Sequence, residues 1–362
     1  MNMIEYENLF LLNKPFTERY KESFADSLEK GWFILGNKVL QFEKEFASYC
    51  GSNYCAGLAS GLDALVLALK YFDFPKGAEV IVPSNTYIAT ILAICQNGLV
   101  PVLVEPDLDT YNIDPAKIEE KISPNTKAIL VVHLYGKACN MDPILAIAAQ
   151  NGIKVIEDCA QSHGATYKGK MTGTFGHFGA FSFYPTKNLG ALGDAGALIT
   201  SDTEVIEKIK AMRNYGCHEK YHNSYIGVNS RLDEIQAGFL SVKLPFLDDI
   251  NAHKKKLAAL YQENLKPEFT RPVIHEDYKD VNHIYTVRHQ ERDKLKAYLL
   301  KNNIKTEIHY PIPPHQQKAL KGSIKGSFPI AELIHRTTLS LPISYFHTEQ
   351  QVEQVITVMN KF

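Results

Sequence analysis

What most constrains this chain is an alternation of short β-rich runs with amphipathic helical runs between residues 79 and 158. Glu79-Val-Ile-Val82 reads as a buried strand, Tyr87 to Gln96 as a helix, and Val100-Pro-Val-Leu-Val104 as a strand again. Ala128-Ile-Leu-Val-Val132 and Lys154-Val-Ile-Glu157 continue the series; Pro143 to Gln150 is helical between them, and Asn151-Gly152 is its stop signal. This rhythm predicts βαβ units and a largely parallel sheet, because parallel neighbours need a crossover that a helix fills. Gly179-Ala-Phe-Ser182 and Ala197-Leu-Ile-Thr200 add two short strands with no helix between them, which predicts antiparallel pairing in that part of the sheet.

After Asp202 the texture changes. Thr203 to Arg213, Leu232 to Leu244 and the basic stretch His253 to Leu265 read as helices. Beyond an irregular segment near Pro272, a compact α+β pattern closes the chain: Ile284 to Arg288 as strand, Asp293 to Asn302 as helix, Lys305 to Ile308 as strand, Thr348 to Asn360 as helix. A chain of 362 residues exceeds one simple core. The expected organisation is a large domain over 1–246 and a smaller α+β domain over 247–362, joined near Pro245 through helical linkage.

Composition excludes some partners. The formal net charge of -1 gives no cationic excess to hold a polyanion, so nucleic acid is not expected, whereas local donors can still bind a small anion. The six cysteines form no CxxC pair, so no zinc knuckle or redox pair is signalled and no metal site is expected. Scattered thiols fit a reducing cytosol. Met1 to Lys14 lacks the basic start and apolar run of a signal peptide, and no stretch approaches a membrane span. A cytoplasmic protein without membrane association is the expectation.

Four local features carry chemistry. Ser182-Phe-Tyr-Pro-Thr-Lys187-Asn-Leu-Gly190 runs from a strand end into the Gly-rich loop Gly190-Ala-Leu-Gly193-Asp-Ala-Gly196. Small residues there let a planar ligand approach the backbone beside Lys187; in isolation, a surface lysine after a turn explains the same pattern. Val155-Ile-Glu-Asp158-Cys-Ala-Gln161-Ser-His-Gly164 places Asp158 at the carboxyl end of an apolar strand, the edge where open α/β sheets bind ligands. Asp158 there suits either capping of a following helix or holding a proton on a pyridine nitrogen. Ala59-Ser60-Gly61-Leu62-Asp63 opens an apolar-periodic helix whose free N–H groups suit a phosphate, or simply form an N-cap. Pro83-Ser-Asn-Thr86-Tyr87-Ile-Ala-Thr90 follows a strand, and Tyr87 suits either stacking on a flat ring or core packing. Taken one by one these have ordinary structural explanations. Their order is that of phosphate site, stacking aromatic, pyridine partner and lysine in a fold type I pyridoxal-phosphate enzyme.

The sequence resembles the DegT/DnrJ/StrS group of nucleotide-sugar aminotransferases over nearly its whole length. The motifs are Gly31-Trp-Phe-Ile-Leu-Gly36 with Phe42-Glu43, Ser60 to Leu65, Pro83 to Thr90, His133-Leu-Tyr-Gly136 and Glu157 to Gln161. They continue through Ser182 to Lys187, Gly193 to Gly196, Asn229-Ser-Arg-Leu-Asp233 with Gln236-Ala237, and His309-Tyr-Pro311. The resemblance implies an aspartate-aminotransferase-like fold and pyridoxal 5'-phosphate (PLP/PMP) as cofactor. It makes Lys187 the Schiff-base lysine, Asp158 the partner of the pyridine nitrogen and Gln161 the partner of the phenolic oxygen. Ser182 with the backbone of Gly61 and Leu62 would hold the phosphate. Asn229 would reach the phosphate of a neighbouring subunit, which implies a homodimer with shared active sites.

One departure matters: many members of the group have Thr where this chain has Leu62, so a hydroxyl contact to phosphate is absent. Leu62 and the segment Lys220-Tyr221-His-Asn223 to Gly227 are similar to the branch that aminates C3 of dTDP-3-keto-6-deoxyhexoses. In that branch Tyr184, Lys220 and Tyr221 would line the sugar site, although a solvated loop accounts equally for the last two. His309 and Tyr310 complete the polar rim. Ping-pong transfer from L-glutamate to a nucleotide-linked keto sugar is the implied reaction. Amination at C4 and a non-catalytic PLP-fold regulator are the alternatives, the regulator lacking room for a DNA-binding segment. Lys187 argues against a C3 dehydratase, whose relatives carry His there, and no cysteine sits in a desulfurase-like motif.

Overall fold

The computed structural model describes residues 3–324 and 326–362. In chain order, its first nine strands are β1 (Tyr54–Leu58), β2 (Glu79–Pro83), β3 (Val100–Val104), β4 (Thr126–Val132), β5 (Lys154–Asp158), the short pair β6 (Thr166–Tyr167) and β7 (Lys170–Met171), β8 (Phe178–Ser182) and β9 (Gly196–Thr200). Seven of them form one sheet in the order β1-β9-β8-β5-β4-β2-β3. The pairs β3–β2, β2–β4, β4–β5 and β5–β8 are parallel. Strand β9 alone runs against the rest, antiparallel to both β8 and β1. The missing helix between β8 and β9 is the reason: without a crossover the chain must turn back.

Helices α1 (Leu9–Asn13), α2 (Thr17–Lys30) and α3 (Asn37–Cys50) precede the sheet; α4 (Gly61–Tyr71), α5 (Ile88–Gln96), α6 (Met141–Asn151) and α7 (Thr203–Met212) follow its strands. Alternate strand residues serve opposite faces. Val80, Val82, Leu130, Ile156 and Phe178 pack with Leu65, Leu69, Ile91, Ile94 and Ile209 of α4, α5 and α7. Ile81, Ile129, Val131 and Val155 pack with Ile144 and Ile147 of α6. Both faces are covered, which is why these strands read as continuous apolar runs.

Two further helices, α8 (Glu234–Lys243) and α9 (Leu247–Asn264), are separated by a 3₁₀ turn, Leu244–Phe246, in which Pro245 interrupts the helical ladder. The hairpin β10 (Cys217–Glu219)–β11 (His222–Asn223) lies before them, and β12 (Tyr278–Lys279) pairs with β6. The chain closes with β13 (Tyr285–Arg288), α10 (Arg292–Lys301), α11 (Pro329–Thr337), β14 (Thr338–Leu341) and α12 (Glu349–Met359). Leu257, Tyr261, Tyr285, Leu295, Leu341 and Val355 share a cluster there, joined by Ile4 from the N-terminal end. Ile334 of α11 and Phe328 instead join the core of the large sheet.

One strand expectation fails. Lys305 to Ile308 is not a ladder: Glu307 makes a single bridge to Ser340, and Ile304 a single bridge to Ile4. The segment is shared between two neighbours for one residue each and then enters His309-Tyr310-Pro311. Helix α9 also begins at Leu247, upstream of the expected His253.

Candidate active site

Asp158 ends β5, Ser182 ends β8, and Ser84 to Thr90 follow β2, so these segments converge at the carboxyl edge of the sheet. Asp158 is buried; its Oδ2 accepts from Thr90 Oγ1 at 2.9 Å and its Oδ1 from Ala160 N at 3.1 Å. Burial pushes its carboxyl up, while the Ala160 N–H, the Thr90 hydroxyl and the charges of Lys187 and His133 pull it down. No helix follows Asp158 in the segment leading to β6, so the helix-capping reading does not hold. One oxygen closes a local turn, and the group as a whole is a buried carboxylate with charged neighbours.

Lys187 lies on the connection between β8 and β9. Its N–H donates to Tyr184 O at 2.8 Å, and Ala191 N returns to Phe183 O at 2.8 Å, giving a tight loop. A Cβ on Gly190 would lie 2.4 Å from Pro185 O, so the loop closes this way only with glycine. Burial draws the Lys187 amine down to about 8, against the opposing pull of Asp158. A lysine so placed is a usable base near neutral pH. The imidazoles of His163, His283 and His309 all feel its charge.

Gln161 is oriented from both ends: Oε1 accepts from Tyr135 N at 2.6 Å, and Nε2 donates to Tyr310 Oη at 2.8 Å. The second N–H of that amide is left for a ligand oxygen. Tyr87 is 51% exposed and tilts against Tyr310 with ring centroids 5.0 Å apart, so it is not a core residue and offers a ring face to the cleft. Tyr135 also donates its hydroxyl to His309 O, and His309 Nδ1 lies 2.9 Å from Ser340 Oγ.

The α4 N-terminus faces Ser182. Ser60 caps α4 through Asp63 N at 3.1 Å, and among the described residues Gly61 N and Leu62 N have no protein acceptor. A Cβ on Gly61 would lie 2.6 Å from Ser182 Cβ, which shows how closely the two segments approach. Two orphan N–H donors, a helix dipole and a serine hydroxyl together fit a phosphate. Leu62 packs against the core of the sheet, and only its backbone faces this cradle.

Other expected residues lie further out. Tyr184 is 53% exposed, and Asn229 is exposed on a segment bridged to Asn214. Lys220 and Tyr221 form the turn of the β10–β11 hairpin, with Lys220 Nζ 5.0 Å from the Tyr221 ring centroid. No hydrogen bond, ion pair or ring contact among the described residues joins that turn to the Lys187 cluster.

Some of the site was not singled out from the sequence. Thr90 and Tyr135 fall inside quoted motifs, but nothing in their spacing marks them as partners of Asp158 and Gln161. The Lys254 amine donates to Asn188 Oδ1 and to His283 O, each at 3.0 Å, and Asn188 Nδ2 donates to Asn251 Oδ1 at 2.8 Å. This buried network clamps the residue after Lys187 to α9. His133, Glu157 and Cys159 bring ligand-type atoms within 4.8 Å of one another. Yet Glu157 already accepts from Gly173, Phe175 and Gly176 N–H groups at 2.7 Å each and contacts His133 Nε2 at 2.9 Å, which suits a structural knot.

A family model described as the DegT/DnrJ/EryC1/StrS aminotransferase family matches residues 16–360. The chain is 53% identical over 361 residues to a dTDP-3-amino-3,6-dideoxy-alpha-D-galactopyranose transaminase of Aneurinibacillus thermoaerophilus, covering 99% of each chain. It is 43% identical over 344 residues to a dTDP-3-amino-3,4,6-trideoxy-alpha-D-glucose transaminase of Streptomyces venezuelae, covering 94% of this chain and 91% of the relative. In three dimensions it matches S. venezuelae DesV in complex with a ketimine intermediate, with a TM-score of 0.97 at 41% identity over 100% of this chain and 98% of that one.

Proposed function

The chain belongs to the DegT/DnrJ/EryC1/StrS aminotransferase family, and from that premise we propose a reaction. The enzyme moves an amino group from L-glutamate to C3 of a dTDP-3-keto-6-deoxyhexose, giving a dTDP-3-amino-3,6-dideoxyhexose, with pyridoxal 5'-phosphate as cofactor. The observation that carries the chemistry is Lys187, an amine drawn down to about 8 within electrostatic reach of the buried carboxylate Asp158. Leu62 and the 53% identity to a 3-amino-sugar transaminase support the position of amination.

The residues present fit the cofactor, the two orphan N–H groups beside Ser182 being the most direct sign. Gly61 N, Leu62 N and the Ser182 hydroxyl would hold its phosphate. Asp158 would keep a proton at the ring nitrogen, Gln161 Nε2 would donate to the phenolic oxygen, and Tyr87 would offer its ring face to the cofactor. Bound pyridoxal phosphate supplies an electron sink for the electrons left at carbon when a proton departs. Lys187 Nζ, neutral in a good fraction of molecules near pH 8, would carry the proton lost from Cα of glutamate to the cofactor. In the second half-reaction it would return a proton from the cofactor to C3 of the sugar. Tyr184, His309 and Tyr310 offer polar groups to the hexose, and Lys220 with Tyr221 offers a cation and a ring to the nucleotide diphosphate.

Product analysis tests the reading. Pure enzyme with glutamate and a panel of dTDP- and UDP-linked keto sugars is expected to aminate the dTDP-3-keto-6-deoxyhexose. Efficient amination of a 4-keto sugar, with the 3-keto isomer ignored, overturns the position of amination.

A homodimer with shared sites belongs to the same proposal, with Asn229 reaching the partner's cofactor phosphate. Its exposure on a chain otherwise rich in buried polar groups supports this. Mixing inactive Lys187→Ala protein with an inactive Asn229→Ala protein is then expected to restore roughly a quarter of wild-type activity. Random pairing makes about half the dimers mixed, and each mixed dimer has one intact composite site. No recovery after demonstrated subunit exchange between two inactive parents counts against the shared site.

A further inference from the structure

Thr90 has no part in the reaction as described, yet among the described residues it supplies the one side-chain hydrogen bond to Asp158. Its hydroxyl donates to Asp158 Oδ2 at 2.9 Å, and Thr86 Oγ1 lies 2.8 Å from the same Thr90 oxygen. Thr90 is 0% exposed and Thr86 2%. A hydroxyl has a single proton, and an ionised carboxylate only accepts. The Thr90 proton therefore points at Asp158, and Thr86 must donate its own proton to Thr90. The relay has one direction, from Thr86 through Thr90 to Asp158. Thr86 lies just before α5 and Thr90 in its first turn, on either side of Tyr87 in the chain.

Given Asp158 as the partner of the cofactor's ring nitrogen, we propose that the Thr86–Thr90 relay is a positioning device that keeps the shared proton on that nitrogen. A buried carboxylate beside a pyridinium has another option: it can take the proton and leave two neutral groups, which a low-dielectric site favours. A neutral ring is a poor electron sink. The Thr90 hydroxyl opposes that transfer because its hydrogen bond is strongest to the ionised carboxylate. The Ala160 N–H acts in the same sense on the other oxygen. The titratable groups facing Asp158 are Lys187 from the β8–β9 loop, His133 after β4, Tyr310, and the Cys139 and Cys159 thiols. His133 is tied to Glu157, and Lys187 is bonded to the cofactor in the resting enzyme, so neither substitutes for a fixed donor on Oδ2.

The test is the nitrogen-15 chemical shift of ring-labelled pyridoxal phosphate in the holoenzyme. Wild type and Thr90→Ser are expected to show the protonated-ring position. Thr90→Val is expected to move toward the neutral-ring position, and its glutamate half-reaction to slow about ten- to hundredfold with KM for glutamate within about twofold. Thr86→Val, which spares the bond to Asp158 but removes the upstream donor, is expected to move the shift part of the way, and it decides the matter if Thr90→Val does not fold. A wild-type shift in Thr90→Val, even with slowed turnover, overturns the proposal and leaves a packing role only. If wild type already shows the neutral-ring position and Asp158→Asn leaves it unchanged, the assignment of Asp158 fails first and the relay falls with it.

Discussion

Lys187→Ala is expected to be inactive, with turnover lowered by roughly 10⁴-fold or more, and to lose the visible absorption of the lysine–cofactor adduct. Two functions vanish together: the covalent anchor, and the base that moves protons between donor carbon and cofactor. General base catalysis alone is worth about 10²–10⁴, and no other described amine is positioned to replace it. Lys254 is buried nearby, but its hydrogens are committed to Asn188 and to the His283 carbonyl. The protein should still fold, since Lys187 makes no side-chain hydrogen bond within the described structure and its removal relieves a buried amine. The amine drawn down to about 8 adds a second readout. Capture of the aldehyde by apoenzyme needs the neutral form, whose fraction rises about tenfold from pH 6 to pH 7 and levels off above about 8.5. Capture rates should follow that curve, whereas an ordinary lysine near 10.4 would still be rising tenfold per unit at pH 9. A normal visible band in Lys187→Ala, or a capture rate still climbing steeply above pH 9, shows that the lysine is misassigned.

The sheet and the chemical residues at its edge could be read from the chain because both depend on local pattern. Buried parallel strands need unbroken apolar runs, and the runs read at residues 79–82, 100–104, 128–132 and 154–157 fall within the observed strands β2, β3, β4 and β5. The reversal of β9 followed from a missing crossover helix. What could not be read has non-local causes. The edge strand β1, with its small residues Cys55-Ala56-Gly57, carries little β signal, and its place is set by pairing with β9 and by the buried ion pair of Glu43 with Arg213. The Lys305–Ile308 segment has strand composition but two half-partners, so composition misleads. Asp158, Gln161 and Ser182 stand out because a motif fixes them, but the residues that aim them, Thr90 and Tyr135, become visible only when α5 and the turn after β4 meet in space. The sugar-side residues are legible least. Lys220 and Tyr221 sit on an exposed hairpin with no contact among the described residues to the Lys187 cluster.

Asp158→Asn is expected to retain the cofactor weakly and to lose most transamination, with kcat of the glutamate half-reaction down roughly a thousandfold, equivalent to about 4 kcal/mol of barrier. The amide has nearly the shape of the carboxylate, so the fold should hold, although Ala160 and Thr90 donate to different oxygens and only one of them keeps its acceptor. What changes is the charge. A neutral amide cannot stabilise a positive ring nitrogen, and its N–H group favours the unprotonated ring by donating to it. The electron sink is then lost while the stacking on Tyr87, the phosphate cradle at Gly61, Leu62 and Ser182, and the lysine itself are kept. The effect should therefore fall on kcat, with KM for glutamate little changed, because glutamate binding does not depend on the ring's charge as bond breaking does. The two halves of the reaction should slow together, since each requires loss of a proton from carbon next to nitrogen. Activity within about tenfold of wild type would mean that Asp158 is there for the turn it closes with Ala160, because an Asn oxygen on that side keeps the turn while the electrostatic role is lost.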